Sequence, residues 1–369
     1  MFSTADRVFM AQALALARRG LYTTHPNPRV GCVLVKEGEV VGQGWHERAG
    51  GPHAEVMALR HAGAEAAGSV AYVTLEPCAH TGRTPPCAQA LIDAGVVQVI
   101  AALEDPNPLV AGQGLSRLRS AGVQVQQGLL QAEAEALNPG FLRRMRGGLP
   151  WVRLKMACSL DGRTAMADGQ SQWITGAAAR RDVQRWRARS DVVLTGVGTV
   201  IMDNPALTVR PELWDAGEYP DRPPVRMLLD SGLRAPLASR MLTEYAGADV
   251  WWLWAGERVG ARGGAQEIPS WVHQQQFPGQ RPQPMDVLRW MAQQGWQEVL
   301  IEAGANVAGS FLQAGVVDEL IVYQAMTLMG SAARPLVEWP LQTMAQQQRL
   351  QLVEERHIGN DRRLLLRRC

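Results

Sequence analysis

The stretches GPHAEVMAL (51–59) and YVTLEPCAHTGRTPPC (72–87) decide how this chain is read. Gly51 and Pro52 precede His53-Ala54-Glu55, where an apolar spacing of helical period begins and runs to Gly63. Residues 70–75 form a β-rich run, closed by Glu76-Pro77-Cys78. Cys87 follows nine residues on. One histidine and two cysteines are donors that zinc takes, and three protein ligands leave a fourth position for water. The metal draws the pKa of that water toward neutrality. Glu55, two residues from His53, can stand on the same helix and reach the water without binding the metal. It would take the water's proton and return it to a leaving nitrogen. The alternative is a closed structural site with His80 or His46 as fourth ligand, which would leave Glu55 without a task.

Outward from this core, strand and helix alternate, an α/β signature. A capping box at Ser3 and Asp6 opens a helix over 5–20, and a Pro-rich loop, Thr23 to Pro28, follows. Strands are expected at 29–35 and 39–44, joined at Lys36-Glu37-Gly38, and then at 97–103 and 123–126. Helices are expected at 88–95, 112–121 and 131–137. The run NPGFLRRMRGGLP (138–150) breaks the rhythm and marks a boundary between domains at 1–148 and 149–369. A second series has strands near 151–156, 191–195, 225–230, 250–254, 298–302, 319–324 and 363–366, with helices at 177–188 and 286–294. Residues 255–284, rich in Gly, Pro and Gln, read as loop. The two halves share a rhythm and no repeat.

The 369 residues suffice for two domains of about 100–200 residues each. Hydrophobic residues make up 46% and charged residues 20%, the composition of a folded chain. No apolar run reaches about 18 residues, so no membrane span is expected. Asp6 and Arg7 interrupt the N-terminus, which does not read as a signal peptide. A net charge of +2, with dispersed arginines, gives no case for nucleic-acid binding. Five cysteines, Cys32, Cys78, Cys87, Cys158 and Cys369, are too sparse for a disulfide framework, and a cytoplasmic location is expected. Of 37 basic residues only Lys36 and Lys155 are lysine, which singles out Lys155 in its apolar strand.

The order His-x-Glu, then Pro-Cys, is that of zinc nucleobase deaminases, except that their Cys-x2-Cys is replaced here by Cys-x8-Cys. Together with HPNPRVGCVLV (25–35) and EDPNP (104–108), these stretches resemble the pyrimidine deaminase domain of the bifunctional riboflavin-biosynthesis deaminase–reductase family. The longer Cys–Cys loop of that family matches the departure. The resemblance implies a cytidine-deaminase-like α/β/α domain holding one Zn2+. It also implies hydrolysis of the 2-amino group of a diaminopyrimidinone that carries a phosphoribosylamino group. Asn27, His46, Arg83, Asp105 and Asn107 would line the substrate pocket. Taken alone, Asn and Asp beside Pro are also turn formers.

In the second half, glycine turns at strand ends, Gly196-Val197-Gly198-Thr199 and Gly304 ahead of 305–313, have phosphate-binding character, although no G-x-G-x-x-G is present. KMACSLDGRTA (155–165), SQWIT (171–175), TGVGTVIMDNPALTVR (195–210) and IEAGANVAGSFLQAGVVDELIVY (301–323) resemble the reductase half of the same family. That implies a C-terminal dihydrofolate-reductase-like α/β domain using NADPH to reduce the ribosyl group to a ribityl chain. By position, Ala157, Trp173, Thr199, Asp203, Ser231 and Gly304, Ala305, Asn306, Val307, Ala308, Gly309 and Ser310 would contact NADPH. Ser171, Arg187, Leu207, Arg210 and Glu302 would contact substrate, with Arg187 and Arg210 on its phosphate. Lys155 would act catalytically near the hydride; the alternative is a snorkelling strand-edge lysine. Within 211–284 only LLDS (228–231) carries the resemblance. The family resemblance also implies a homodimer through the reductase half.

Two other readings compete. One is a nucleoside or tRNA deaminase with an appended non-reductase domain, for which a concentrated basic patch is expected. The other is a zinc-stabilised binding module without catalysis.

Overall fold

The first helix, α1 (Thr4–Arg18), is set by its cap: the Ser3 hydroxyl accepts from the Asp6 N–H at 3.1 Å while the Asp6 carboxylate accepts from the Ser3 N–H at 2.7 Å. The computed structural model describes residues 1–79, 86–108, 110–217, 219–220, 222–256 and 268–369. The chain divides into two compact units, Met1–Gly148 and Leu149–Cys369. No helix among the described residues is long and apolar enough to cross a membrane.

In the first unit α1 is followed by β1 (Gly31–Lys36), β2 (Glu39–Trp45), α2 (Ala54–Ala62), β3 (Val70–Val73) and α3 (Cys87–Asp93). Then come β4 (Gln98–Ala101), α4 (Gln113–Ser120), β5 (Gln124–Gln127), α5 (Gln131–Leu137) and α6 (Pro139–Met145). The sheet order is β2-β1-β3-β4-β5, antiparallel from β2 to β3 and parallel from β3 to β5. Two glycines seat helices on opposite faces. A Cβ on Gly31 would lie 2.0 Å from the Ala13 carbonyl oxygen of α1, and one on Gly44 would lie 2.5 Å from the Ala58 nitrogen of α2. Gly44 pairs with Cys32, the neighbour of Gly31, so the two glycines face opposite sides. The result is the expected α/β/α layering. The expected break at 138–150 contains α6, because Pro139 occupies the first turn, where its missing N–H costs nothing.

The second unit contains β6 (Trp151–Cys158), β7 (Arg163–Ala165), α7 (Ala177–Ala188), β8 (Val192–Gly196), α8 (Val197–Asp203), β9 (Val225–Leu229), α9 (Arg240–Thr243) and β10 (Val250–Ala255). It continues with β11 (Val272–Phe277), α10 (Pro284–Gln293), β12 (Glu298–Glu302), α11 (Ala305–Gln313), β13 (Glu319–Gln324), β14 (Arg334–Pro335), β15 (Leu350–Ile358) and β16 (Asp361–Arg368). Nine strands form one sheet, ordered β11-β10-β9-β8-β12-β6-β13-β16-β15. It is parallel from β11 to β13, and the β15–β16 hairpin closes the far edge antiparallel. β12 returns between β8 and β6, so the strand order reverses there and opens a crevice at the carboxyl ends.

Four strands escaped the sequence reading: the short β7 and β14, which pair with each other, and two of the large sheet. β11 lies inside the segment read as loop; its middle, His273 to Gln276, is polar because it is an edge strand with one pairing side. β15 is exposed along almost its whole length and has no apolar alternation to betray it.

Candidate active sites

In the first unit, β3 and β4 lie side by side in parallel, so the segments leaving their carboxyl ends emerge together. Cys78 leaves β3, Asp105 and Asn107 leave β4, and α2 brings His53 and Glu55 from the face covered through Gly44. His53 occupies the N-cap position of α2 without capping it, so its ring is available to the cysteines. His53 Nδ1 stands 3.1 Å from Cys87 Sγ and 3.6 Å from Cys78 Sγ. The three ligand atoms lie within 4.8 Å of one another. The spacing fits tetrahedral zinc, whose bonds of about 2.0 Å to nitrogen and about 2.3 Å to sulfur place neighbouring ligand atoms about 3.6 Å apart. The Cys87 N–H also donates to Cys78 Sγ at 3.4 Å. A hydrogen bond from the Cys87 thiol, with His53 and the Cys87 N–H beside it, holds the Cys78 thiol well below its ordinary range, while the same pairing raises Cys87.

Glu55 is 3% exposed, and burial pushes its carboxyl up to about 7. Its carboxyl group interacts with the Cys87 thiol, so it faces the ligand set. His46 packs edge-on to His53 at 5.5 Å between ring centroids. His46 Nδ1 lies 2.9 Å from the Pro52 carbonyl oxygen and Nε2 lies 3.0 Å from Asn27 Nδ2. One neutral tautomer satisfies both contacts, with Nδ1–H donating to the carbonyl and Nε2 accepting from the amide. Burial lowers the pKa of this ring. With both nitrogens engaged, His46 is no fourth ligand. His80 and Arg83 lie outside the described residues.

In the second unit, Lys155 and Glu302 are register partners on β6 and β12. Lys155 Nζ lies 3.6 Å from Glu302 Oε2 and 5.9 Å from the centre of the Tyr323 ring. β6 runs between β12 and β13, so Lys155 is interior and the strand-edge alternative falls. Burial lowers the Lys155 ammonium, whereas Arg187 and Lys155 together overcome burial and hold Glu302 at about 2. Arg187 donates from Nε and Nη2 to the two Glu302 oxygens at 2.6 and 3.0 Å, and from Nη1 to the Thr208 carbonyl at 2.8 Å. Most of its fork is therefore engaged within the protein. The Arg210 guanidinium makes no hydrogen bond or ion pair among the described residues, and burial with Arg187 and Arg240 nearby lowers its pKa. Glu212 and Glu302 act on it in the opposite sense.

Leu207 has φ +57°, a left-handed conformation uncommon for leucine, and its side chain lies in the core. Any contact it makes with substrate is through its backbone. Ser171 Oγ donates to the Asp203 carboxylate at 2.7 Å, joining one residue expected at substrate to one expected at cofactor. Trp173 is exposed, with Arg180 4.5 Å above its ring. Ala157 is the last residue but one of β6, Thr199 lies in the first turn of α8, and Ser231 follows β9. Gly196 and Gly304 serve as N-caps of α8 and α11 with no side-chain cap, at the carboxyl ends of neighbouring strands β8 and β12. These two open helix starts fit the phosphates of a dinucleotide. Ala305, Asn306 and Val307 form the first turn of α11, and the Ser310 hydroxyl donates to the Val307 carbonyl. Ala308 and Gly309 are buried, Gly309 so tightly that a Cβ would lie 2.0 Å from the Glu338 carbonyl oxygen. Those two carry helix packing.

Comparison with known proteins extends these observations. Residues 3–103 match the cytidine and deoxycytidylate deaminase zinc-binding region, and residues 150–364 match the RibD C-terminal domain. The chain is 50% identical to the riboflavin biosynthesis protein RibD of Escherichia coli over 366 residues, covering 96% of this chain and 97% of that one. It is 48% identical to the Haemophilus influenzae RibD, covering 98% and 97%. The solved structure of Acinetobacter baumannii RibD superposes with a TM-score of 0.88 at 46% identity, covering 99% of both chains. The chain belongs to the RibD family. It is accordingly a bifunctional enzyme of riboflavin biosynthesis, with a zinc-binding deaminase half ahead of a reductase half.

Sequence reasoning passed over Glu76, Gln184 and Arg226. Arg226 donates from Nη1 to the Ala206 carbonyl at 3.2 Å, and Gln184 Oε1 accepts from the Arg210 N–H at 3.0 Å, so both hold the loop that carries Leu207 and Arg210. Arg226 lies between Val225 and Met227 in an apolar strand, the same signal that singled out Lys155.

Proposed function

We propose that the first unit hydrolyses the 2-amino group of 2,5-diamino-6-ribosylamino-4(3H)-pyrimidinone 5′-phosphate, and that the second unit then reduces the ribosyl chain with NADPH to give 5-amino-6-ribitylamino-uracil 5′-phosphate. A solved Thermotoga maritima relative, 31% identical with a TM-score of 0.85, is named a diaminohydroxyphosphoribosylaminopyrimidine deaminase and 5-amino-6-(5-phosphoribosylamino)uracil reductase. The observation that carries the reading is the convergence of His53, Cys78 and Cys87 beside buried Glu55.

One Zn2+ held by these three residues supplies Lewis acidity toward water. Glu55 takes a proton from the attacking water at its carboxylate and delivers it to the leaving amino nitrogen as the C–N bond breaks and the C–O bond forms. Its pKa, raised by burial, lets it hold and release that proton near neutrality. Asn27, His46, Asp105 and Asn107 read the pyrimidine edge, and neutral His46 is fixed in orientation by Pro52. Arg83 is assigned to the phosphate by the resemblance alone.

In the second unit, NADPH supplies the hydride. The uncapped starts of α8 and α11 hold its phosphates, and Trp173, Thr199, Asp203 and Ser231 line its path. Lys155 holds a proton at Nζ for the reducing centre, and Glu302, bridging Lys155 and Arg187, orients it. Arg210 takes the substrate phosphate. The active assembly is a homodimer through the reductase half.

The test supplies the diaminopyrimidinone phosphate to the zinc-loaded enzyme with and without NADPH. Ammonia release is expected in both cases, and NADPH oxidation only after it. NADPH oxidation without ammonia release, or ammonia release that needs NADPH, overturns the two-step order.

A further inference from the structure

Glu76 sits at the carboxyl end of β3, two residues before Cys78, and is 4% exposed. Its carboxylate accepts four backbone N–H groups. Oε2 receives Asp105 at 3.1 Å and Gly112 at 3.0 Å; Oε1 receives Gly114 at 2.8 Å and Leu115 at 3.2 Å. A carboxylate offers about four lone-pair sites, so this set uses its capacity in full. Asp105 and Gly112 form the neck of the loop between β4 and α4, and Gly114 and Leu115 are in the first turn of α4. One anion thus closes the loop and meets the positive end of the helix that follows it. Gly112, at φ +72°, supplies no side-chain cap of its own, so Glu76 takes that place from outside the helix.

The contact admits no slack. A Cβ on Gly114 would lie 1.8 Å from the Pro77 carbonyl oxygen, so glycine lets α4 approach the strand end closely enough for Glu76 to reach its N–H groups. From Asp105 the order passes onward, because its Oδ1 accepts the Asn107 N–H at 2.9 Å. The same backbone that presents Cys78 to the metal therefore sets the position of the two loop residues read as pyrimidine contacts.

We infer that Glu76 is a positioning residue of the deaminase: it fixes Asp105 and Asn107 relative to the metal ligands, so that substrate affinity depends on it although it touches neither substrate nor metal. The inference rests on the reading of Asp105 and Asn107 as substrate contacts. Glutamine in this place keeps the shape but turns one oxygen into an N–H2 group facing N–H donors, which releases one side of the clamp.

The test compares E76Q, N107A and the double variant in the full zinc-loaded chain. Zinc content, ammonia-release kinetics and NADPH oxidation with the deaminated intermediate are measured on each. For E76Q the expected result is unchanged zinc and unchanged NADPH oxidation, with KM for the diaminopyrimidinone raised about tenfold or more and kcat moved less. In the N107A background the same change is expected to raise KM much less, since both act through one loop. An unchanged KM in E76Q while N107A raises it overturns the inference alone. A loss in E76Q that tracks lost zinc, or effects of the two substitutions that simply multiply, also overturns it. An unchanged KM in N107A removes the substrate reading beneath it. E76D keeps the charge but withdraws it by one methylene; where E76Q does not accumulate, E76D is measured the same way. A smaller rise in KM is expected there, and no rise overturns the inference.

Discussion

Each half of the enzyme pins a loop near its active site with buried charge, and the two halves use opposite signs. In the deaminase unit the carboxylate of Glu76 gathers four N–H groups, two from the loop after β4 and two from the first turn of α4. In the reductase unit the guanidinium groups of Arg226 and Arg187 gather the carbonyls of Ala206 and Thr208. The difference follows from what each loop turns inward. The first runs into the start of a helix, where N–H groups lack partners, and only an acceptor satisfies them. The second returns from α8 and turns the carbonyls of Ala206 and Thr208 inward, which donors satisfy, while its Arg210 N–H is met by the neutral Gln184 amide oxygen. The sign of the buried charge is thus dictated by the backbone it serves, whichever chemistry goes on nearby.

The comparison also predicts that the two sites fail independently. The largest effect is expected for Glu55→Ala. It should lower ammonia release by about 10³-fold with zinc retained, because proton transfer to and from the water is lost. NADPH oxidation with the deaminated intermediate should stay at its full rate. A matching loss of reductase activity would break the claim of independence, and ammonia release at full rate would remove Glu55 from the chemistry.

Lys155→Met comes next. It keeps the bulk and the apolar stem but removes the ammonium that faces Glu302. The kcat for NADPH oxidation should fall about 10²-fold, with ammonia release unchanged. A fall in substrate affinity without a fall in kcat would make Lys155 a binding group and place the proton elsewhere. Arg210→Ala should act the other way round, raising KM for the phosphorylated intermediate about tenfold to a hundredfold, since a charge-assisted contact is lost. Arg210→Lys should recover only part, a point charge replacing a planar fork. An equal effect on a dephosphorylated substrate would show that Arg210 does not read the phosphate.

The two halves also differ in how much of them was legible. His53, Glu55, Cys78 and Cys87 announce their chemistry because few other tasks need those residue types in that order, and 35 residues of chain contain them all. Lys155, Arg187, Arg210 and Glu302 come from β6, α7, a loop and β12, and no spacing joins them before the sheet does. The alternation of elements was readable because most strands are apolar and buried on both faces. β15 was not, because an exposed edge hairpin needs no apolar alternation, and β11 was hidden by its glutamines. Glu76 was read only as part of a motif, since nothing in a sequence tells which N–H groups a carboxylate will find. Ala308 and Gly309 were assigned to cofactor by position, and no spacing announced that helix packing also buries them.

The smallest effect at neutral pH is the one that appears only on acidification. Arg187 and Lys155 hold Glu302 at about 2, well below its ordinary 4.5, and Arg153 does the same for Glu319. A carboxylate lowered on folding contributes stability that is fully present above its unfolded pKa and disappears as pH falls through the folded one. The reductase unit should therefore lose stability progressively between about pH 5 and about pH 2. Tryptophan fluorescence isolates that unit, because all of the 12 tryptophans except Trp45 lie in it. Urea unfolding followed by this signal should give a midpoint that declines across the window. Glu302→Gln should start lower at neutral pH, since it leaves two buried cations without their anion, and should then decline less. A variant whose midpoint falls as steeply as the wild type would show that the Lys155–Glu302–Arg187 cluster contributes nothing to acid sensitivity.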